Sequence, residues 1–126
     1  MANTIKVRNQ FQFLRDSVLR QNFPTKDTSI TTTSELCVMT QQIVGTTHEV
    51  LAAGDVTDTA MMIVENLHAT ATVSVGSDSG GSFVKWFDIA AGDPPAVLPR
   101  VGALASTYLK SSTASTPVGI TLAKIS

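Results

Sequence analysis

His48, Asp55 and Ser79 follow one another in the order imidazole, carboxylate, hydroxyl, and Ser79 sits in the run Ser77-Asp78-Ser79-Gly80-Gly81. Nucleophilic catalysis needs those three groups. The imidazole takes the hydroxyl proton, and the carboxylate holds the imidazole in the right tautomer. His48 and His68 are the two histidines of the chain and Cys37 is its single cysteine. These few residues therefore bound the covalent and metal chemistry open to it.

The run around Ser79 resembles the Gly-Asp-Ser-Gly-Gly nucleophile motif of chymotrypsin-like serine proteases. Three observations argue against that chemistry. The leading Gly, which helps shape the oxyanion turn, is Ser77 here. His48 sits in Thr-Thr-His-Glu rather than Ala-Ala-His-Cys. Such enzymes need two β-barrels, and 126 residues hold one ordinary domain. A Gly-rich hairpin turn between two strong strands is expected instead.

Metal chemistry finds no better footing. The two histidines are twenty positions apart, with no Cys or His at ligand spacing. His48-Glu49 lacks the second His of a zincin motif. Asp55, Asp58, Asp78 and Asp93 fall in turn-like sequence, where Asp bonds its own backbone. They form no Asp-x-Asp ladder of the kind that holds calcium. Gly76, Gly80 and Gly81 are followed by no phosphate-loop Lys. Lys85-Trp86-Phe87 is the one place where basic and aromatic residues interleave, and Trp86 reads more simply as core or interface. Catalytic, metal and cofactor sites are therefore expected to be absent, and the chain reads as non-enzymatic.

The elements that would position these residues are strands. Val, Ile and Thr make up 37 of the 126 residues. Branched Cβ atoms suit pleated strands and crowd helices. Short strand patterns are predicted at Glu35–Val44, Thr46–Ala52, Met61–Leu67, Ala69–Val75, Phe83–Ile89, Ala96–Leu98, Ala103–Leu109 and Val118–Ile125. Met61-Met62-Ile63-Val64 is apolar throughout, as in a strand buried on both faces. Phe83, Phe87 and Ile89 are expected on one face, and Val84 and Trp86 on the other. Pro99 confines its strand to a sheet edge. The last two strands are expected to pair. Val50-Leu-Ala-Ala-Gly-Asp55 and Asp88-Ile-Ala-Ala-Gly-Asp93 end two strands alike, which either marks two equivalent corners or reuses one strand terminator. The fold class expected is all-β: a single antiparallel β-sandwich or jelly-roll-like domain over 35–126. An extended or partly helical arm over 1–34 precedes it. In that arm Ile5, Val7, Phe11 and Phe13 keep strand period, whereas Phe11, Leu14, Val18 and Leu19 share a helical face. The balance favours an extended start, a short helix near 10–20 and a linker over 21–34.

Charge divides the chain at the same place. Charged residues are 15% of the total, against a usual ~25%. The shortfall is made up by 17 Thr and 12 Ser. Residues 1–26 hold Lys6, Arg8, Arg15, Arg20 and Lys26 against Asp16 alone, while residues 27–126 hold four basic and nine acidic residues. Disorder is excluded, because it needs low hydrophobicity and high net charge. A basic arm before an acidic body points to an arm that lies on an acidic neighbour. Lys6, Arg8, Phe11, Phe13, Arg15 and Arg20 are its candidate partner-binding residues. Nucleic acid is not an expected partner, since the basic residues are dispersed and the body would repel phosphate. Cys37 can form no internal disulfide and reads as an inert buried thiol. A membrane partner is not expected, for no run nears the ~18 apolar residues of a membrane helix. The start Met-Ala-Asn-Thr-Ile-Lys has no apolar h-region, so no signal peptide is expected.

One further pattern covers residues 65–125. It runs Glu65-Asn66-Leu67, Thr72-Val-Ser-Val-Gly76, a Gly-rich turn, Phe83, and Ile89-Ala-Ala-Gly92-Asp93. It continues through Ala96-Val-Leu-Pro99, Leu104 and Leu109 to Gly119-Ile-Thr-Leu. The pattern resembles small structural proteins of tailed bacteriophages, which commonly carry Pro before that corner Gly and Glu after it. The resemblance implies a virion component, with capsid decoration or cement protein as the leading expectation. The alternatives are a tail, neck or spike subunit, or a ligand-binding β-sandwich in which Trp86, Tyr108 and Phe83 serve. The partners implied are capsid or other virion subunits and further copies of the chain, a trimer being favoured.

Overall fold

In the computed structural model the chain is described over residues 3–32, 36–57, 59–102 and 104–125. The described residues form ten strands and one short 3-10 turn at Leu104–Ser106, with no α-helix among them. Strands β1 (Asn3–Arg15) and β2 (Val18–Thr32) make a two-stranded antiparallel ribbon. The other eight are β3 (Cys37–Val44), β4 (Glu49–Val50), β5 (Ala60–Asn66), β6 (Val73–Ser79), β7 (Ser82–Ile89), β8 (Ala96–Val101), β9 (Tyr108–Ser111) and β10 (Thr116–Lys124). They form a sandwich of two antiparallel four-stranded sheets, in the orders β3-β10-β5-β8 and β4-β9-β6-β7. The all-β expectation therefore holds.

Period-two patterning builds the core. In the first sheet Val38, Leu122, Met62 and Leu98 lie side by side across four strands and point inward. One residue along, Met39, Thr121, Ile63 and Val97 form the matching outward row. The second sheet contributes Val73, Val75, Ile89 and Leu109, all buried. Leu51, Val56 and Leu104 fill the ends. Pro99 lies in edge strand β8, as expected of a residue without a backbone donor.

The paired Leu/Ile-Ala-Ala-Gly-Asp segments mark equivalent corners. Each follows an edge strand of the second sheet, β4 or β7, and leads across to the first sheet. Each plants one apolar side chain, Leu51 or Ile89, in the core before turning. Each then turns at a glycine with positive φ, 59° at Gly54 and 84° at Gly92.

Four local expectations are corrected. Residues 10–20 are not helical and 21–34 are not a linker: both lie in the ribbon as far as Thr32, and residues 33–35 fall outside the described set. The helical spacing of Phe11, Leu14, Val18 and Leu19 arises because a tight turn at Asp16-Ser17 folds two strands together. The segment at 69–75 becomes a strand only from Val73, which then runs on to Ser79. The last two strands do not pair: β9 joins β6 and β4, whereas β10 joins β3 and β5 in the opposite sheet. Phe83 does not share a face with Phe87 and Ile89. A bulge at Trp86, where Val75 opposes Phe87 but Gly76 opposes Lys85, switches the strand's faces.

That bulge depends on Gly76. A Cβ there would stand 2.1 Å from the Val84 carbonyl oxygen and 2.9 Å from its carbon. The obstruction is backbone, so it cannot swing away as a side-chain tip would. Gly76→Ala is expected to destabilise the chain by about 1–3 kcal/mol, the usual range for overpacking, measured by urea unfolding. An unchanged midpoint would disprove this account of the bulge.

Candidate functional site

The ribbon is the part of the molecule that packs least. Among its described side chains only Thr32, at its base, is buried. Phe11 is 63% exposed, and Leu14, Val18 and Leu19 are about half exposed. Leu14 opposes Leu19, so these two share one face, while Val18 opposes Arg15. The ribbon's end thus carries apolar groups on both faces. Its turn is a two-residue loop, with Asp16 at φ 50° and Ser17 at φ 62°. Positive φ at both central residues is the hairpin turn whose twist matches the flanking strands.

β2 is two residues longer than β1, because two register shifts place the extra residues on β2, one between Phe23 and Lys26 and one at Arg20. The first includes Pro24, which has no donor to give. Bulges twist a ribbon and blunt its edges against unwanted pairing.

At its base the ribbon lies on the first sheet. Val7, Thr28 and Ile30 face Met61, Val97 and Pro99 across a gap of about 160 Å3. The Thr32 hydroxyl donates to the Lys124 carbonyl at 3.3 Å. This cover explains why Met61 and Met62 are both buried although their side chains leave opposite faces.

Of the six candidate partner residues, Lys6, Arg8, Phe11 and Arg15 are exposed on the ribbon. The backbones of Phe13 and Arg20 lie in it too, and their side chains fall outside the described set. Arg8 forks onto Asp27 across the ribbon, with Nε 2.7 Å and Nη2 3.2 Å from its carboxylate. Arg8 is thus already partnered, which leaves Lys6 and Arg15 as the better placed cations.

The catalytic-looking residues meet differently from their order in the chain. His48 Nε2 lies 2.6 Å from Asp78 Oδ2, so the carboxylate beside it is Asp78 and not Asp55. The Gly81 amide donates to the other Asp78 oxygen at 2.9 Å. Ser79 ends β6, and the hairpin turns at Gly80-Gly81, as expected. Among the described residues no hydroxyl or thiol bonds His48. The ring instead lies tilted against Phe83 and edge-on to Tyr108, 5.6 and 5.5 Å between centroids. The pair ties the start of β4 to the end of the β6–β7 hairpin.

His68 organises a turn. Its Nδ1 accepts the amides of Thr70 and Ala71 at 3.0 and 2.9 Å. Buried Asn66 holds the same corner, donating to the Ala71 and Ile89 carbonyls. No group of three metal-ligating side chains occurs among the described residues. Asp55 lies in a turn, Asp93 caps the Ala90 amide, and Asp58 is outside the described set. Cys37 is exposed on β3, which corrects the expectation of a buried thiol.

The second sheet's outer face carries a shallow, polar depression lined by Thr72, Ser74, Phe83, Lys85, Asp88 and Lys110. Lys85 Nζ lies 3.0 Å from Asp88 and the Ser74 hydroxyl bonds the same carboxylate, while Lys110 Nζ sits 6.0 Å from the Phe83 ring centre. Phe83 and Tyr108 are half-buried beside His48, and Trp86 is half exposed. No helix of the described residues is long and apolar enough to cross a membrane. No protein-family model, curated protein or solved structure matches this chain.

The His48 ring N–H and the Gly81 amide hold the Asp78 carboxyl below its ordinary value. A carboxyl depressed in the folded state releases its proton more readily there than in the unfolded chain. Its stabilisation is complete above the unfolded value near pH ~4 and fades as pH falls through the folded one. Thermal unfolding followed from pH 6 to pH 2 should fall more steeply for the parent chain than for Asp78→Asn. Parallel curves would show that the pair contributes nothing to acid stability.

Proposed function

We propose that the chain is a non-enzymatic structural protein of a tailed-bacteriophage virion, and within that class a capsid decoration protein. The sandwich is a rigid body, and the ribbon is an arm that docks on a neighbouring virion subunit. The ribbon carries this reading. A two-stranded hairpin is marginal in water, and this one ends in Phe11, Leu14, Val18 and Leu19 in solvent. Such an end gains most of its order by meeting another protein surface.

The charge layout supports the same reading. The ribbon holds five basic and two acidic residues, and the chain after it is acidic. A sparsely charged, hydroxyl-rich body also tolerates close neighbours in a lattice. Many identical weak contacts around a symmetric shell add up, so each can be modest. Further copies of the chain close into a ring, with a trimer as the expected form.

Replacing residues 10–23 by Asn-Gly keeps the ribbon's base and removes its tip. The shortened chain should lose at least tenfold in affinity for purified capsid shells, measured by co-sedimentation. Equal binding would overturn the docking role. Shells stripped of tails distinguish decoration from a tail, neck or spike location: retention in hundreds of copies is expected, and loss with the tails would move the protein there.

A further inference from the structure

We infer that the ribbon's first partner is a second copy of this chain, whose exposed first-sheet face around Gly119 receives the apolar tip. The inference rests on reading the ribbon as a docking arm and names what it docks on. The outer face of the first sheet is unusually apolar for a surface. Met39 is 79% exposed, and Ile43, Leu67 and Val97 are about half exposed. Met39, Thr121, Ile63 and Val97 form one continuous row, and Ile43, Pro117 and Leu67 lie at the end beyond Gly119. Patches of this kind on a soluble chain mark contact surfaces.

The face has a socket. At Gly119 the row of side chains is interrupted, leaving a dimple of about 350 Å3 bounded by Met39, Gln41, Ile63, Glu65 and Thr121. A dimple walled by Met and Ile suits an aromatic or branched aliphatic group, and Met adapts its shape to what enters. Phe11, Leu14 and Leu19 are such groups.

Three observations select a second copy as the occupant. First, the base of the ribbon already packs on this same face, at Met61, Val97 and Pro99. The surface and the ribbon are therefore chemically matched, and a second contact would continue an existing one. Second, the chain's own tip leaves the face open, since Phe11, Leu14, Val18 and Leu19 are all exposed. Between Val7 and Arg15 the ribbon reaches about 27 Å, whereas four strands span about 14 Å between outer axes. Third, charge is complementary. Glu65 stands exposed at the dimple's rim, and Lys6 and Arg15 stand exposed on the ribbon. Tip into face gives each copy one arm to offer and one face to fill, a condition met by a reciprocal pair or by a closed head-to-tail ring.

The test uses the purified full-length chain without shells, followed by sedimentation velocity. A discrete oligomer is expected, and Phe11→Ser and Gly119→Leu should each weaken it at least tenfold. Gly119→Leu fills the dimple from the receiving side. Its Cβ would meet Leu67 and Glu65 at 3.5 and 3.7 Å, ordinary contact, so the fold has room for it. Circular dichroism checks that both variants keep their strands. An independent readout leaves the core untouched. Leu14→Cys should form an intermolecular disulfide with Cys37, which is exposed on β3 two positions from Met39. The cross-link should vanish when Cys37→Ser is added. A monomeric parent chain, association unaffected by both variants, or a cross-link that survives Cys37→Ser would each overturn the inference. A monomer that still binds shells through its ribbon would leave the docking arm standing and refute only the second copy. Shell binding that ignores the ribbon would refute the docking arm itself.

Discussion

Strand β10 is the element on which the rest of the molecule depends. It is hydrogen-bonded along both edges, to β3 from Thr116 to Ala123 and to β5 from Val118 to Lys124. Val118, Ile120 and Leu122 enter the core from it. Its far end also holds the ribbon. The Lys124 carbonyl accepts from Thr32, the Lys124 amide donates to Leu36, and the Ile125 amide donates to Thr59. The last strand of the sequence thus fixes the base of the ribbon, where the arm ends and the sandwich begins. Such pairing closes loops of many tens of residues, whose entropy must be overcome before any contact is gained. The ribbon's direction is consequently a property of the folded sandwich, although its own pairing is wholly local.

The two outer faces of the sandwich solve different problems. On the second sheet Ser74, Lys85 and Asp88 bond one another and Asp78 is held by His48 and Gly81, while Val50, Val84 and Trp86 stay about half exposed. Groups whose hydrogen bonds are met internally have little left to offer a ligand. The first sheet shows Met39, Ile43 and Val97 instead, and part of it is already roofed by the ribbon's base. The proposed contact uses the first sheet's face, the one the ribbon's base already touches.

How much of this was legible in the sequence follows from the range of each interaction. The all-β class was legible, because Val, Ile and Thr at alternate positions report on immediate neighbours. So were the edge position of Pro99, the turn at Gly80-Gly81 and the corners after Leu51 and Ile89, each governed by a few adjacent residues. The ribbon was not. Its turn uses Asp16-Ser17 where Asn-Gly would have announced a hairpin, and its two bulges on β2 interrupt the alternation. The same failure recurs at Trp86, where a bulge driven by the close approach of Gly76 to Val84 moves Phe83 to the opposite face. The partner of His48 was missed for another reason. Asp55 and Asp78 are equally plausible carboxylates in sequence, and only the pairing of β4 with β9 and β9 with β6 brings Asp78 within reach.

The ribbon's weakness is itself informative. A sheet with two faces needs at least one of them covered, and a two-stranded ribbon covers neither. Along its base the sandwich supplies the cover, and there Ile5, Val7 and Ile30 are half-buried. Toward the tip the cover ends, yet apolar residues continue. Had the tip evolved only to stay in water, Phe11, Leu14, Val18 and Leu19 would each cost solubility with no compensating contact. The proposed contact with another chain would supply the second layer that this part of the ribbon lacks. The low charge of the body and the sparse acids near the socket fit the same need, since a crowded, highly charged surface would resist the close approach that such a layer requires.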